Sequence, residues 1–333
     1  TQVNLMTVTH PNNALFQTGS ALPLIPACEH FAGNEKFIRK AVNLQLSMEV
    51  QFDVTCDCED GAPTGKEYEH AVMVGKLIAE LGGSKNRLGI RIHDPMHQAC
   101  HDDVDILMTE AGQNISYLTI PKPLGYDDAA RTVEYIQKIA TKNGVPTPPI
   151  HILIETQSAL SEVFQIASID GLEGLTFGLL DFVSDHRGAV PASAMRSPNQ
   201  FAHQLTSRAK VEVAAAALRY GLIATHNPCL EIQDRSVAFN DAKTARDNYG
   251  YMRMYSIHPS QIESIVSGMQ PSEDEIETAG DILLAAQSAN WGPISHNNEM
   301  HDRASYRYFW NLLQRANING ASISPAAKNA FFQ

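Results

Sequence analysis

Residues 151–182 read HILIETQSALSEVFQIASIDGLEGLTFGLLDF, and this stretch decides the fold. Two apolar runs, 150–154 and 172–177, each stop on polar residues, and between them Leu160, Val163, Phe164 and Ala167 recur at helical spacing. The pattern predicts a strand, a helix and a second strand parallel to the first. Glu155 closes the first strand and Asp181 stands in the turn that opens at Gly178. Parallel strands joined by one helix bring both carboxylates to the same end of a sheet. Two carboxylates converging on one spot repel each other unless a cation neutralises them. Magnesium needs only one or two protein carboxylates, because water and substrate oxygens complete its octahedron. The spacing is equally satisfied by Glu155 as the cap of the next helix and Asp181 as a turn residue.

The same alternation repeats on both sides of this stretch. Apolar runs at 22–26, 52–58, 88–92 and 117–120 precede it, and runs at 222–225 and 252–257 follow, with helix-period segments between them. Residues 183–198 form a polar insertion, after which Ser197-Pro198 is expected to open a long helix that stops at Gly221. Eight strands alternating with helices predict an α/β fold, a (β/α)8 TIM barrel. An open doubly wound sheet would want a glycine-rich loop after its first strand, and residues 27–33 hold one glycine. Residues 1–268 are expected to form the barrel catalytic domain. Residues 269–333 are expected to form a C-terminal helical extension, with a capping box at Ser272 and Glu275 opening its first helix.

The 333 residues, 44% of them apolar, suffice for a large core. A formal charge of -12 argues against nucleic-acid and membrane-surface partners, which call for a basic face. The five cysteines show no zinc-finger spacing and fit reduced thiols. No run reads as a membrane span or secretion signal, so a soluble cytoplasmic protein is expected.

Barrel enzymes carry their chemistry at the carboxyl ends of the strands. Here those ends hold Asp57, Glu59, Asp60, Arg91, His93, Lys122, Glu155, Asp181, Asn227 and His258. Each has a quieter alternative: Asp57 and Glu59 as a buried pair satisfied by Arg91, Lys122 and His258 as anchors beside prolines. Cys56 and Cys58 lie across the strand from Asp57 and should pack against helices.

These residues resemble a known family. Cys56-Asp57-Cys58-Glu59-Asp60-Gly61-Ala62-Pro63 with Lys66 is similar to the DLEDAVP…K segment of the citrate lyase β-subunit family, which includes malyl-CoA and citramalyl-CoA lyases. The likeness continues through Arg91-Ile92-His93, Pro121-Lys122, Ile154-Glu155-Thr156, Phe177-Gly178 with Asp181, and Ile257-His258-Pro259 with Gln261. It implies a magnesium ion on Glu155 and Asp181, and a homotrimer or hexamer. It also implies cleavage or formation of a 3-hydroxyacyl-CoA thioester such as citryl-, malyl- or citramalyl-CoA by a retro-Claisen or aldol route. In that reading Arg91 stabilises the enolate, with Asp57 and Glu59 orienting it. His93, Lys122 and Asn227 bind substrate alongside Arg91. Glu299-Met300-His301-Asp302 resembles the family's GKMID segment, so Asp302 is expected to serve a neighbouring subunit's site, unless it simply caps the last helix. The chain departs from the family at His93, where an asparagine is usual, and at Arg253-Met254, where Gly-Lys is common. Two alternatives belong beside the lyase: a metal-dependent 2-keto acid (pyruvate) aldolase, and a non-catalytic subunit working with an acyl-carrier partner.

Overall fold

The structure, a computed structural model, describes residues 9–16, 22–84 and 86–333. Eight strands run parallel in the order β1 (Cys28–Ala32), β2 (Asp53–Asp57), β3 (Leu88–Arg91), β4 (Tyr117–Ile120), β5 (Ile150–Ile154), β6 (Leu172–Phe177), β7 (Ile223–His226) and β8 (Arg253–Ser256). Each pairs with the next and β1 pairs with β8, so the sheet closes into a (β/α)8 barrel. Alternation along β2 shows how the wall is made. Val54 and Cys56 are fully buried in the apolar layer beneath the helices, and Asp53, Thr55 and Asp57 occupy the intervening positions. All five cysteines are free and buried.

The barrel interior is polar rather than aliphatic. Arg253, with no exposed surface, lies 2.7 Å from Asp53 Oδ2 and 3.1 Å from Glu29 Oε2 and donates to the Pro26 carbonyl. Thr55 donates to Glu29 at 2.6 Å and meets the Tyr117 hydroxyl at 2.6 Å, and Tyr117 stacks on His151. Removing one partner from such a set strands a charge out of water, so the cluster fixes the barrel's packing more than it adds net stability.

The first strand differs from the sequence expectation. Residues 22–26 contain Pro23 and Pro26, which offer no N–H to a ladder, and the strand forms at Cys28–Ala32 instead. Its polar residues, Glu29 and His30, are buried: Glu29 on the Arg253 cluster and His30 2.9 Å from Ser256 Oγ. The helix expected from Ser197-Pro198 is broken at His203 into Asn199–Ala202 and Gln204–Arg219. Ser197 donates to Asp241 rather than capping a helix. The first part of the polar insertion is helical, Leu179–Asp185.

The chain divides into two compact units, Pro26–Met269 and a second that joins residues 270–333 to the described residues before 26. The N-terminal segment therefore groups with the tail and not with the barrel. In this second unit Leu15, Ile276, Leu283, Trp291, Trp310 and Leu313 share one apolar core. Trp310 Nε1 donates to Asn12 at 2.7 Å and Trp291 Nε1 to the Thr9 carbonyl at 3.0 Å, which ties the N-terminal segment to the tail helices. The Ser272–Glu275 capping box forms and opens the helix Glu273–Ser288. Residues read as a polar turn make a hairpin, Ile294–His296 with Glu299–His301, turning on Asn297 and Asn298 at φ 50° and 66°. Among the described residues no helix is long and apolar enough to cross a membrane.

Candidate active site

Strand register builds the site. Asp57 and Arg91 end β2 and β3 at paired positions. Arg91 therefore grips Asp57 with two bonds, Nε to Oδ1 at 2.8 Å and Nη2 to Oδ2 at 2.6 Å. This planar fork suits arginine and not lysine. Burial would raise the Asp57 pKa, but the Arg91 charge and bonds, helped by the Glu59 and Gly61 amides, hold it below the usual carboxylate range. Glu59 stands 3.3 Å from Arg91 Nη1 and accepts from Lys122 Nζ, and burial pushes its carboxyl up.

β5 and β6 deliver the second pair. Ile154 lies opposite Phe177, so the next residues, Glu155 and Gly178, meet above the barrel. A Cβ on Gly178 would stand 2.4 Å from Glu155 Cγ and 2.5 Å from Oε2, so glycine is what leaves room for this carboxyl. Gly61 does the same for Asp57, where a Cβ would lie 2.3 Å from Oδ2. Glu155 is almost fully buried and hydrogen-bonds Asp181, which sits in the first turn of Leu179–Asp185. Burial first, and then the Asp181 charge, push the Glu155 pKa up to about 8, against the pull of Arg91 and Lys122.

Lys122 links the two pairs. It adopts a φ of 47°, uncommon for a residue with a side chain, and this turns its N–H to Glu155 Oε1 at 3.1 Å. Its ammonium reaches Glu59, lies 2.6 Å from Asp60 Oδ2, and is 3.7 Å from Asp181. These contacts outweigh burial and raise its pKa.

A cavity of about 320 Å³ opens over this constellation. Asp57, Asp60, Arg91, Glu155 and Asp181 line it together with Phe31, Leu153, Phe177, Leu180, Tyr255 and Ile257, and the Arg91 guanidinium lies 5.0 Å over the Phe31 ring. A larger groove of about 410 Å³ between outer helices, lined by Arg131, Tyr135 and Lys138 among others, holds none of the strand-end acids of this constellation.

Of the residues singled out in the sequence, Asp57, Glu59, Arg91, Lys122, Glu155 and Asp181 converge here. Asn227 does not line the cavity. It is fully buried, its side-chain oxygen accepts from Lys210, and its amide donates to Gln200 at 2.9 Å and to the Pro228 carbonyl at 3.0 Å. His93 is also absent from the lining. Its Nδ1 is 2.7 Å from Asp103 and its ring stacks on His97, and Asp103 outweighs burial to raise its pKa. Asp302 caps the helix Arg303–Ile318, accepting from the Ala304 N–H at 2.8 Å. Sequence reasoning missed Gly61, Gly178 and the apolar lining residues. The glycines directly after the acid run and after Phe177 were the available signals.

Among the described residues no group of three or more His, Cys, Asp and Glu side chains could hold a metal ion. The protein ligands on offer are Glu155, buried with its pKa pushed up, and the partly exposed Asp181 beside it, and such a carboxylate pair with few protein donors fits a hard cation that brings its own waters. Fold and site together define a barrel enzyme with paired acids and a clamped arginine at its strand ends.

Comparisons with known proteins agree. A citrate lyase from Burkholderia xenovorans is 44% identical in a superposition covering 98% of this chain and all of that one, with a TM-score of 0.82. The L-malyl-CoA/β-methylmalyl-CoA lyase of Cereibacter sphaeroides is 21% identical over 281 residues, 80% of this chain and 88% of that protein. The CitE protein of Mycobacterium tuberculosis, solved with magnesium, acetoacetate and coenzyme A, shares the fold at a TM-score of 0.66 and 18% identity, covering 88% of this chain and 98% of that one. No family model matches the chain. The chain belongs to the citrate lyase β-subunit and malyl-CoA lyase family of carbon–carbon lyases.

Proposed function

We propose that this chain is a magnesium-dependent lyase that cleaves, or in reverse forms, a 3-hydroxyacyl thioester carried on coenzyme A. The observation that carries the reading is the buried Glu155, hydrogen-bonded to Asp181, beside an arginine already clamped by Asp57. The magnesium and coenzyme A bound by the M. tuberculosis protein support it, as do other structures of that protein with pyruvate or oxaloacetate.

Glu155 and Asp181 would hold the ion, which when bound supplies Lewis-acid polarisation of the substrate's oxygens. Cleavage requires the 3-hydroxyl to lose its proton as the bond between C2 and C3 breaks. The bonding pair then passes to the thioester carbonyl and makes an enolate. Arg91 stabilises that oxygen through N–H groups that Asp57 and Glu59 leave free, and its rigid anchoring removes the cost of reorienting it during reaction. Asp57 and Glu59 are thus positioning residues. Lys122 holds Glu155 through its backbone N–H, and its ammonium bonds Glu59 and Asp60 beside the site. The enolate carbon then takes up a proton. We assign both transfers to Asp302 of a neighbouring subunit in a homotrimer or hexamer, whose carboxylate takes the hydroxyl proton and returns it to the enolate carbon, with the C-terminal extension docked across the interface.

Incubation of 3-hydroxyacyl-CoA candidates with the protein and magnesium, followed by mass spectrometry, tests the function. Conversion to a shorter acyl-CoA, abolished by chelator, is expected. Intact thioesters across malyl-, citramalyl- and citryl-CoA would overturn it.

A further inference from the structure

Arg91 is held by hydrogen bonds along one edge. Its Nε and Nη2 donate to Asp57 at 2.8 and 2.6 Å. The remaining nitrogen, Nη1, stands 3.3 Å from Glu59 Oε2, and that buried oxygen accepts no hydrogen bond. Two bonds along one edge fix the position of the guanidinium and leave a hinge, because a carboxylate accepts over a broad range of out-of-plane angles. Beneath the guanidinium lies the ring of Phe31, with its centroid 5.0 Å from Arg91 Cζ. β1 puts the ring there. Glu29 turns into the barrel to meet Arg253, and Phe31, two residues on, shares that face, with its backbone opposite Thr55 of β2. Tyr255 of β8 packs on Phe31, their ring centroids 4.4 Å apart and their planes at 50°. Both rings line the cavity.

We propose that Phe31 is a positioning residue for Arg91: its ring, backed by Tyr255, sets the tilt of the guanidinium and so the direction in which the uncommitted N–H groups meet the enolate oxygen. The proposal rests on the lyase reading above. The attraction is that of the cation for the negative face of the ring, and it is strengthened because the Arg91 side chain is only 12% exposed. Leucine fills a similar volume and has no such face. In its place the Asp57 fork and the charge of Arg91 remain, and the control of tilt is lost. The step that suffers is the one in which negative charge collects on the thioester oxygen, so removing the ring lowers turnover more than it weakens substrate binding.

The test is steady-state kinetics of the full chain, magnesium present, on whichever of malyl-, citramalyl- and citryl-CoA the wild type cleaves. It is repeated on Phe31→Leu, Phe31→Tyr, Arg91→Lys and the Phe31→Leu, Arg91→Lys double variant, each checked by circular dichroism. If Phe31→Leu does not fold, Phe31→Ile, which suits a strand, takes its place. Phe31→Leu should lower kcat about five- to thirtyfold while KM changes by less than about threefold. Phe31→Tyr, which keeps the ring, should recover most of that loss. In the Arg91→Lys background, where no planar fork remains to be oriented, Phe31→Leu should cost less than about twofold. A packing role alone predicts the same loss in both backgrounds, and that result would overturn the proposal. So would an unchanged kcat in Phe31→Leu, a loss confined to KM, or a Phe31→Tyr variant as slow as Phe31→Leu. Each of these leaves the lyase reading standing. Failure of wild type to cleave any of the three thioesters would remove that reading and the proposal with it.

Discussion

Replacing Glu155 by glutamine should stabilise the metal-free protein, and by an amount that grows with pH. The Glu155 carboxyl is raised from an ordinary 4.5 to about 8 by burial and by Asp181. Below the ordinary value both the folded and the unfolded chain hold the proton, and the side chain contributes nothing. As pH rises from there to about 8, the unfolded chain releases a proton that the folded chain retains, so folding loses about 1.4 kcal/mol for each pH unit. The loss is below about 1 kcal/mol at pH 5, about 3 kcal/mol at pH 7 and about 4 kcal/mol at pH 8. Glutamine has the shape of the protonated acid, keeps an acceptor for the Lys122 N–H, and has no proton to lose. Urea denaturation with chelator present, at pH 5 and pH 8, reads the difference between wild type and variant. Groups common to both proteins cancel. A stability difference of the same size at both pH values would refute the burial-and-repulsion argument. Magnesium should then reverse the order, since it stabilises only the protein that binds it.

Other variants separate the remaining roles. Arg91→Lys keeps the charge but loses the fork, so kcat should fall about 10²- to 10³-fold with a smaller change in KM. A loss confined to KM would make Arg91 a simple substrate binder. Arg253→Met leaves Glu29 and Asp53 buried without this cation and should cost about 3 to 5 kcal/mol by urea denaturation. Adding Glu29→Gln and Asp53→Asn should restore part of that loss, and no recovery would place the cost in packing instead. Asp302→Asn and Glu155→Gln should each be inactive alone and regain activity when subunits are exchanged. No recovery after exchange is demonstrated by mass labelling would leave Asp302 as the helix cap seen in the structure.

Much of this fold is readable in the sequence because strands such as Tyr117–Ile120 and Ile150–Ile154 are uninterrupted buried runs. β1 is not readable in that way. Cys28–Ala32 looks polar because Glu29 points at Arg253, 224 residues away along the chain, and periodicity carries no trace of that partner. The rim acids are legible for a related reason: a strand end is where an apolar run stops, and Asp57, Glu155 and Arg91 all sit at such stops. Position at a strand end does not give direction, however. Asn227 follows β7 as Glu155 follows β5, yet its amide turns to Lys210 and Gln200, because a buried lysine on a neighbouring helix needs acceptors more than the cavity does. Gly178 and Gly61 are visible as glycines beside the acids, but the room they leave for Glu155 and Asp57 is the absence of an atom and shows only in the structure.

The most direct test of the magnesium site is calorimetric titration of magnesium into wild type, Glu155→Gln and Asp181→Asn at pH 8. Wild type should bind one ion, with affinity that falls as pH drops below about 8 because Glu155 must release its proton first. Each variant should bind at least about tenfold more weakly with its fold intact. Unchanged magnesium affinity in both variants would contradict the assignment of the metal to this pair of strand-end carboxylates.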